Sequence, residues 1–172
     1  MLEEALRLAE QLELHEVYSQ ALSSRSVVIM REGRHDETVT LLRRALEVAL
    51  EGDYASAAFR AWNNLAVTLE GDDRYLEVVE LNKTTLEMAR RKGDRSSELA
   101  ALLGYCAPLV ALGRWDEAIA FAEEAQTAEE LEAMGWAATR VGELVAVHVR
   151  RGETEAARQV LAVAKARAAG CD

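Results

Sequence analysis

Apolar residues recur along the chain at the three-to-four-residue spacing of a single helix face. Leu41, Leu42, Ala45, Leu46 and Ala49 form one such stripe, and Val78, Val79, Leu81, Thr85, Leu86 and Ala89 form another. Between the stripes lie short polar breaks. The pattern predicts helices over 2–11, 14–31, 35–51, 54–70, 74–92, 95–111, 115–132, 136–150 and 153–169. Connections of a few residues force neighbouring helices antiparallel.

The breaks themselves repeat. Glu32-Gly33-Arg34-His35-Asp36-Glu37, Asp72-Asp73-Arg74-Tyr75-Leu76-Glu77, Leu112-Gly113-Arg114-Trp115-Asp116-Glu117 and Arg151-Gly152-Glu153-Thr154-Glu155-Ala156 align, and their second residues lie 40, 40 and 39 positions apart. A second series sits between them, at Glu51-Gly52-Asp53, Lys92-Gly93-Asp94 and Ala133-Met134-Gly135. Two interleaved series with one period mean two helices per repeat. At the glycine-containing breaks a glycine can take the left-handed conformation that ends a helix, and Asp53, Asp94 and Asp36 are placed to cap the next. Hairpins of this kind cannot bury both faces alone and must stack. The expected fold is therefore all-α, a right-handed α-solenoid of about nine helices. It is read as one solenoid over 1–172, with hairpins at 14–51, 54–92, 95–132 and 136–169. Helix 2–11 falls where the second helix of an earlier repeat would lie, and Leu2, Leu6 and Leu8 leave it an apolar face. That marks the chain as a piece of a longer solenoid, or helix 2–11 as a cap.

Composition narrows the picture further. Half of the 172 residues are hydrophobic, only 5% are aromatic, and ten glycines with one proline leave little material for hairpin turns. An all-β fold is excluded on that ground, and disorder by the apolar content. The formal charge of −10, from 20 basic and 30 acidic residues, argues against direct nucleic-acid binding. Arg90-Arg91-Lys92 reads as a helix C-terminus, where cations are favoured. No run of about 18 apolar residues predicts a membrane span, and the acidic Met1-Leu2-Glu3-Glu4 start is unlike a signal peptide. Cys106 and Cys171 are too far apart in sequence to suggest a disulfide framework or a metal pair, so a cytoplasmic location is expected.

Trp62-Asn63-Asn64-Leu65-Ala66, followed by Asp73-Arg74-Tyr75 and Val78, resembles the first-helix and turn pattern of the tetratricopeptide repeat family. Gly113-Arg114-Trp115-Asp116-Glu117-Ala118-Ile119 resembles its turn and second-helix start. The period exceeds the family's usual ~34 residues. This longer form, with Gly93-Asp94-Arg95-Ser96, is similar to the helical repeats attached to bacterial signal-transduction ATPases, nucleotide-cyclase-linked ATPases and ATP-dependent transcriptional activators. Departures from the pattern are Ser24-Arg25-Ser26, where Arg25 needs a polar partner or exposure, and Pro108, which should bend helix 95–111.

Candidate chemistry is sparse. The sequence has no Gly-rich phosphate loop, His-Glu-x-x-His or Cys-x-x-Cys. His15, His35 and His148 lie on different helices without ligand spacing, and Cys106 reads as a packed small hydrophobe. Glu123-Glu124 with Glu129, Glu130 and Glu132 reads as a solvated face, and Trp62, Trp115 and Trp136 as packing residues. The expectation is a non-enzyme without cofactor or metal.

The resemblance implies binding on the concave surface lined by each hairpin's first helix. The matching positions are Arg60, Asn63, Asn64 and Val67 in the second full repeat, and Ala100, Leu103, Gly104 and Ala107 in the third. The fourth gives Thr139, Gly142, Glu143 and Ala146, and the first gives Ser23, Ser24 and Val27. Asn63 and Asn64 suit a peptide backbone, unless they bond between repeats, while the third repeat should offer an open apolar floor. The partners expected are a protein or peptide segment or adjacent domains of a parent chain, with self-association through exposed end repeats. The functional expectation is a protein-interaction or regulatory module of a larger bacterial signalling protein. An effector-sensing domain and a structural self-association module are the alternatives.

Overall fold

The computed structural model describes residues 1–126 and 137–169, with side chains described over 1–125 and 140–166. The expected break at 133–135, Glu129, Glu130, Glu132, Trp136 and Cys171 lie outside the described residues, as does the side chain of Thr139. Every regular element among the described residues is helical. The chain divides into two compact units, 1–74 and 75–172. The first holds α1 (Leu2–Gln11), α2 (His15–Arg31), α3 (His35–Glu51) and α4 (Ala55–Gly71). The second holds α5 (Tyr75–Lys92), α6 (Arg95–Gly104), α7 (Cys106–Ala111), α8 (Trp115–Gln126), α9 (Ala137–Arg150) and α10 (Thr154–Ala169).

Helix 95–111 is interrupted at Tyr105, giving α6 and α7. Pro108 has no N–H to donate to the carbonyl of Gly104, and its ring crowds that carbonyl, so the break falls one turn upstream of the proline.

The turns follow one rule. Glu13, Gly33, Asp53, Asp73, Gly93 and Gly113 all have positive φ, between 53° and 76°, and they lie 20 residues apart. Gly152 follows Gly113 after 39. After each, the next N–H reaches back five residues to a carbonyl of the preceding helix, as in Arg34 to Ile29, Arg74 to Leu69 and Arg114 to Leu109. This is the hydrogen bond that closes a helix on a left-handed residue. The second break series thus runs through Asp53 rather than Gly52. Gly52 has φ −88° and leaves room for a different reason, because a Cβ there would lie 2.0 Å from the Tyr54 ring and force it to move. Two expected caps also shift. Asp53 takes the left-handed position and Tyr54 is the N-cap of α4, while Asp36 lies inside the first turn of α3. Asp94 does cap α6, its carboxylate accepting from the Ser97 N–H at 3.1 Å and from the Ser97 hydroxyl at 2.6 Å.

Within the first unit, Leu6, Ala21, Leu22, Ala45 and Ala61 form a buried cluster joined by Leu2, Tyr18, Leu41 and Leu46. Alanine at the crossings lets helix backbones approach, and the buried Ser19 hydroxyl donates across to the Ala45 carbonyl at 2.8 Å. The apolar face of α1 is therefore mostly covered: Leu6 is buried, Leu2 is half-buried and only Leu8 stays exposed. Arg25 finds the polar partner it needs in Glu3, at 2.8 Å. The second unit centres on Leu99, Leu102, Leu103, Cys106 and Leu109 with Ala118, Ala122, Val141 and Leu144. Above that core, Glu98 pairs with Arg95 at 2.8 Å and Arg90 at 3.1 Å, and Arg90 also reaches Glu124, tying α5, α6 and α8. The Arg95 hydrogen bond, helped by Arg90, holds the Glu98 carboxyl below the usual glutamate range.

Two outcomes are expected. Gly113→Ala costs about 1 kcal/mol although nothing lies within 4 Å of the added methyl, and Glu13→Gly gains up to about 1 kcal/mol, because only backbone strain changes. Thermal melts check both. Since the folded carboxyl titrates lower than the unfolded one, Glu98 contributes stability above the ordinary glutamate range, and the contribution fades as pH falls through the folded value. Urea midpoints of wild type and Glu98→Gln should thus differ near neutrality, by no more than about 1 kcal/mol, and converge in acid.

Candidate functional site

The first unit contains a cleft of about 180 Å³ between α2, α3 and α4. Ser26, Val27 and Met30 come from α2, Thr38 and Leu42 from α3, and Asn63, Asn64, Val67 and Thr68 from α4. The helical period explains the grouping. Asn63, Asn64, Val67 and Thr68 lie at one-turn spacing on one side of α4, as do Val27 and Met30 on α2.

The polar groups of this cleft divide into two sets. The hydroxyls are already used inside their own helices: Ser26 donates to the Ser23 carbonyl at 2.8 Å, Thr38 to Arg34 at 3.0 Å and Thr68 to Asn64 at 2.8 Å. The side-chain amides of Asn63 and Asn64 make no hydrogen bond among the described residues, so they do not bridge repeats. Asn63 and Val67 are exposed and Asn64 is half-buried. Among the described residues no charged side chain lines the cleft. Arg60 stands a turn away, its guanidinium donating to the Ser24 hydroxyl at 3.1 Å. Chemically the cleft offers one aliphatic seat beside amide donors and acceptors that bond nothing among the described residues.

The positions expected in the second unit fare differently. Ala100 and Leu103, which should floor an open groove, are buried, and Leu103 belongs to the core cluster. Gly104 is buried as well, and a Cβ on it would come within 2.9 Å of the Asn82 amide on α5. The cause is compositional: from Leu99 through Cys106 every residue is buried, and a helix that is apolar on all sides is enclosed on all sides. Ala107 is half-buried, Gly142 is half-buried, and Glu143 and Ala146 are exposed. In the first unit Ser23 is buried and Ser24 half-buried. Sequence reasoning missed Ser26, Met30, Thr38, Leu42 and Thr68. Leu42 and Thr38 belong to the second helix of their hairpin, and only the packing of three helices brings them to this surface.

The remaining candidates have structural settings. Cys106 is fully buried, and burial pushes its thiol up to about 12, far from a reactive thiolate. Trp62 is buried against Phe59, with ring centroids 5.5 Å apart. The Trp115 indole donates to the Val110 carbonyl at 3.2 Å, with the Arg151 guanidinium 5.6 Å from its ring centre. His35 pairs with Asp72 and His148 with Glu153, while His15 is exposed. Among the described residues no group of three or more His, Cys, Asp or Glu is placed to hold a metal ion, and no helix is long and apolar enough to cross a membrane.

No protein-family model matches this chain, and no curated relative does. A solved structure does. It is a Podospora anserina protein described as a kinesin light chain with nearly identical TPR-like repeats. The likeness has a TM-score of 0.68 at 17% identity and covers 96% of this chain and 82% of that one. The fold is thus a TPR-like helical repeat.

If Leu103 is core and Asn63 is surface, truncation separates them. Leu103→Ala should cost about 2–5 kcal/mol, whereas Asn63→Ala should stay within about 0.5 kcal/mol. Chemical denaturation of the two variants measures both.

Proposed function

We propose that this chain is a protein-interaction module that seats a peptide or protein segment in the cleft between α2, α3 and α4. One observation carries the reading: two unengaged amides stand beside an aliphatic seat, in a unit whose other cleft-lining hydroxyls are satisfied. An apolar side chain of the partner would displace water from Val27, Leu42 and Val67. The adjoining peptide group would bond Asn63 or Asn64, which can each donate and accept. Arg60 would flank the bound segment. In the second unit, Ala107 and Glu143 would offer contacts of their own, while the buried Ala100 and Leu103 would contribute only as support for that unit's surface.

The 20-residue spacing of the turns from Glu13 to Gly113 gives a repeat of 40 residues there. With the Gly93-Asp94-Arg95-Ser96 and Gly113-Arg114-Trp115-Asp116-Glu117 segments, this supports a regulatory role in a larger bacterial signalling protein, next to an ATPase or activator domain, in the cytoplasm.

The test is selection from a random peptide library on the immobilised chain, followed by affinity measurement on the enriched peptides. Enriched sequences should share an aliphatic anchor. Asn64→Ala should weaken them about 5–10-fold, for a lost hydrogen bond of about 1 kcal/mol, and Val67→Asp should abolish them while the fold melts normally. Peptides that bind both variants as well as wild type, or no enrichment at all, would sink the cleft reading.

A further inference from the structure

Met30 stands where the repeat does not call for methionine. The equivalent residues one and two repeats later are Glu70 and Val110. Its backbone serves the turn, with the carbonyl accepting from the Gly33 N–H at 3.0 Å, and its side chain is given to the cleft. The residue is 37% exposed, so a molecule the size of a peroxide has a path to it.

Three polar groups share the cleft with this thioether. The Thr68 hydroxyl lies 3.8 Å from the Met30 Sδ, but it also reaches the Asn64 carbonyl at 2.8 Å, and its single proton is held by the shorter and stronger of these bonds. The side-chain amides of Asn63 and Asn64 line the same cleft and bond nothing among the described residues. A thioether is a weak acceptor, so the reduced sulfur offers those N–H groups little. A sulfoxide on the same flexible side chain carries a strongly accepting oxygen. Oxidation thus supplies, inside the cleft, the acceptor that two adjacent amides lack.

We propose that Met30 is a redox modification site at which a peroxide closes the cleft. The Sδ lone pair attacks one peroxide oxygen; the S–O bond forms as the O–O bond breaks. The departing hydroxide takes up the proton of the transferred oxygen and leaves as water. The sulfur gives up two electrons, and the peroxide takes them. The new oxygen accepts an N–H from Asn63 or Asn64, which makes the aliphatic seat polar and occupies an amide that a partner would use. A methionine sulfoxide reductase reverses the step. The regulatory consequence rests on the peptide reading of the cleft, whereas the sulfoxide–amide bond does not.

Hydrogen peroxide on the full chain is the probe, with Met30→Leu as the control that keeps an aliphatic side chain of similar size and the other three methionines. Met30→Val, with the residue found at position 110, replaces it should that variant melt abnormally. Mass spectrometry of proteolytic fragments follows the added oxygen, and nuclear magnetic resonance follows the side-chain amides of Asn63 and Asn64. Expected are one oxygen on Met30, a shifted amide that exchanges more slowly with water in wild type alone, and reversal by the reductase. Met30 left unoxidised when the exposed Met1 is fully converted overturns the proposal. So do amide signals that stay unchanged, or that change equally in Met30→Leu. Library-selected peptides that Val67→Asp releases should bind oxidised wild type about tenfold more weakly and peroxide-treated Met30→Leu as before. Equal binding to oxidised wild type ends the regulatory claim and leaves the cleft reading standing. With no enriched peptide the cleft reading falls and takes the regulatory claim with it, while the amide signals still decide the bond.

Discussion

Helix closure on a left-handed residue is the constraint on which the rest of this fold depends. Each described turn between helices places one residue at positive φ so that the next N–H can reach a carbonyl five positions back, and the chain then reverses within three residues. Because this recurs every 20 positions from Glu13 to Gly113, the helices that follow these turns start at the same phase of their apolar stripes. Residues 20 apart then alternate between first and second helices, and residues 40 apart share an environment. The carbonyls that accept the closing bond show it. They belong to Ala9, Ala49 and Ala89 in second helices, and to Ile29, Leu69 and Leu109 in first helices. Small residues permit close backbone approach in one set, and large ones fill the core in the other. All six are buried. His148 takes the corresponding place in α9 and is buried as well, with Glu153 at 2.7 Å as its partner.

Much of this is legible in the amino-acid sequence. Apolar spacing locates the helix ends that fall on described residues to within a residue or two, because long periodic stripes leave little choice of phase. Glycine locates four of the turns. It misleads at Gly52, where the left-handed residue is Asp53, since aspartate tolerates that conformation and leaves no compositional mark. The bend in helix 95–111 follows from Pro108, but its position at Tyr105 follows from which carbonyl the proline crowds.

The candidate site is harder to read, for a reason that separates α4 from α6. Both are first helices, and the family resemblance assigns both an inward face. On α4 that face carries Asn63, Asn64 and Val67, which cannot all be buried without partners, and they remain at the surface. On α6 and the start of α7 the equivalent residues are Leu103, Gly104 and Ala107, in a segment with no polar side that could be left to water. Register alone identifies equivalent positions; only the all-round composition of α6 shows that the equivalence does not extend to exposure.

A repeat of this kind also changes what a polar residue signifies. Turn closure, i-to-i−4 hydroxyl bonds and ion pairs such as Arg34 with Glu37 and Arg114 with Glu117 absorb most of the polar groups that might look like chemistry. Thr38, Thr40, Thr68, Thr84 and Thr85 all bond a carbonyl four residues back along the chain. What is informative is the group the repeat does not use. Asn63 and Asn64 lose helix propensity relative to alanine, by about half a kcal/mol each, without bonding anything among the described residues in return. A pair of such residues, adjacent in sequence and opening on an aliphatic cleft, is what the proposed partner would engage, and that is the argument for proposing it at this face rather than at the better-packed α6.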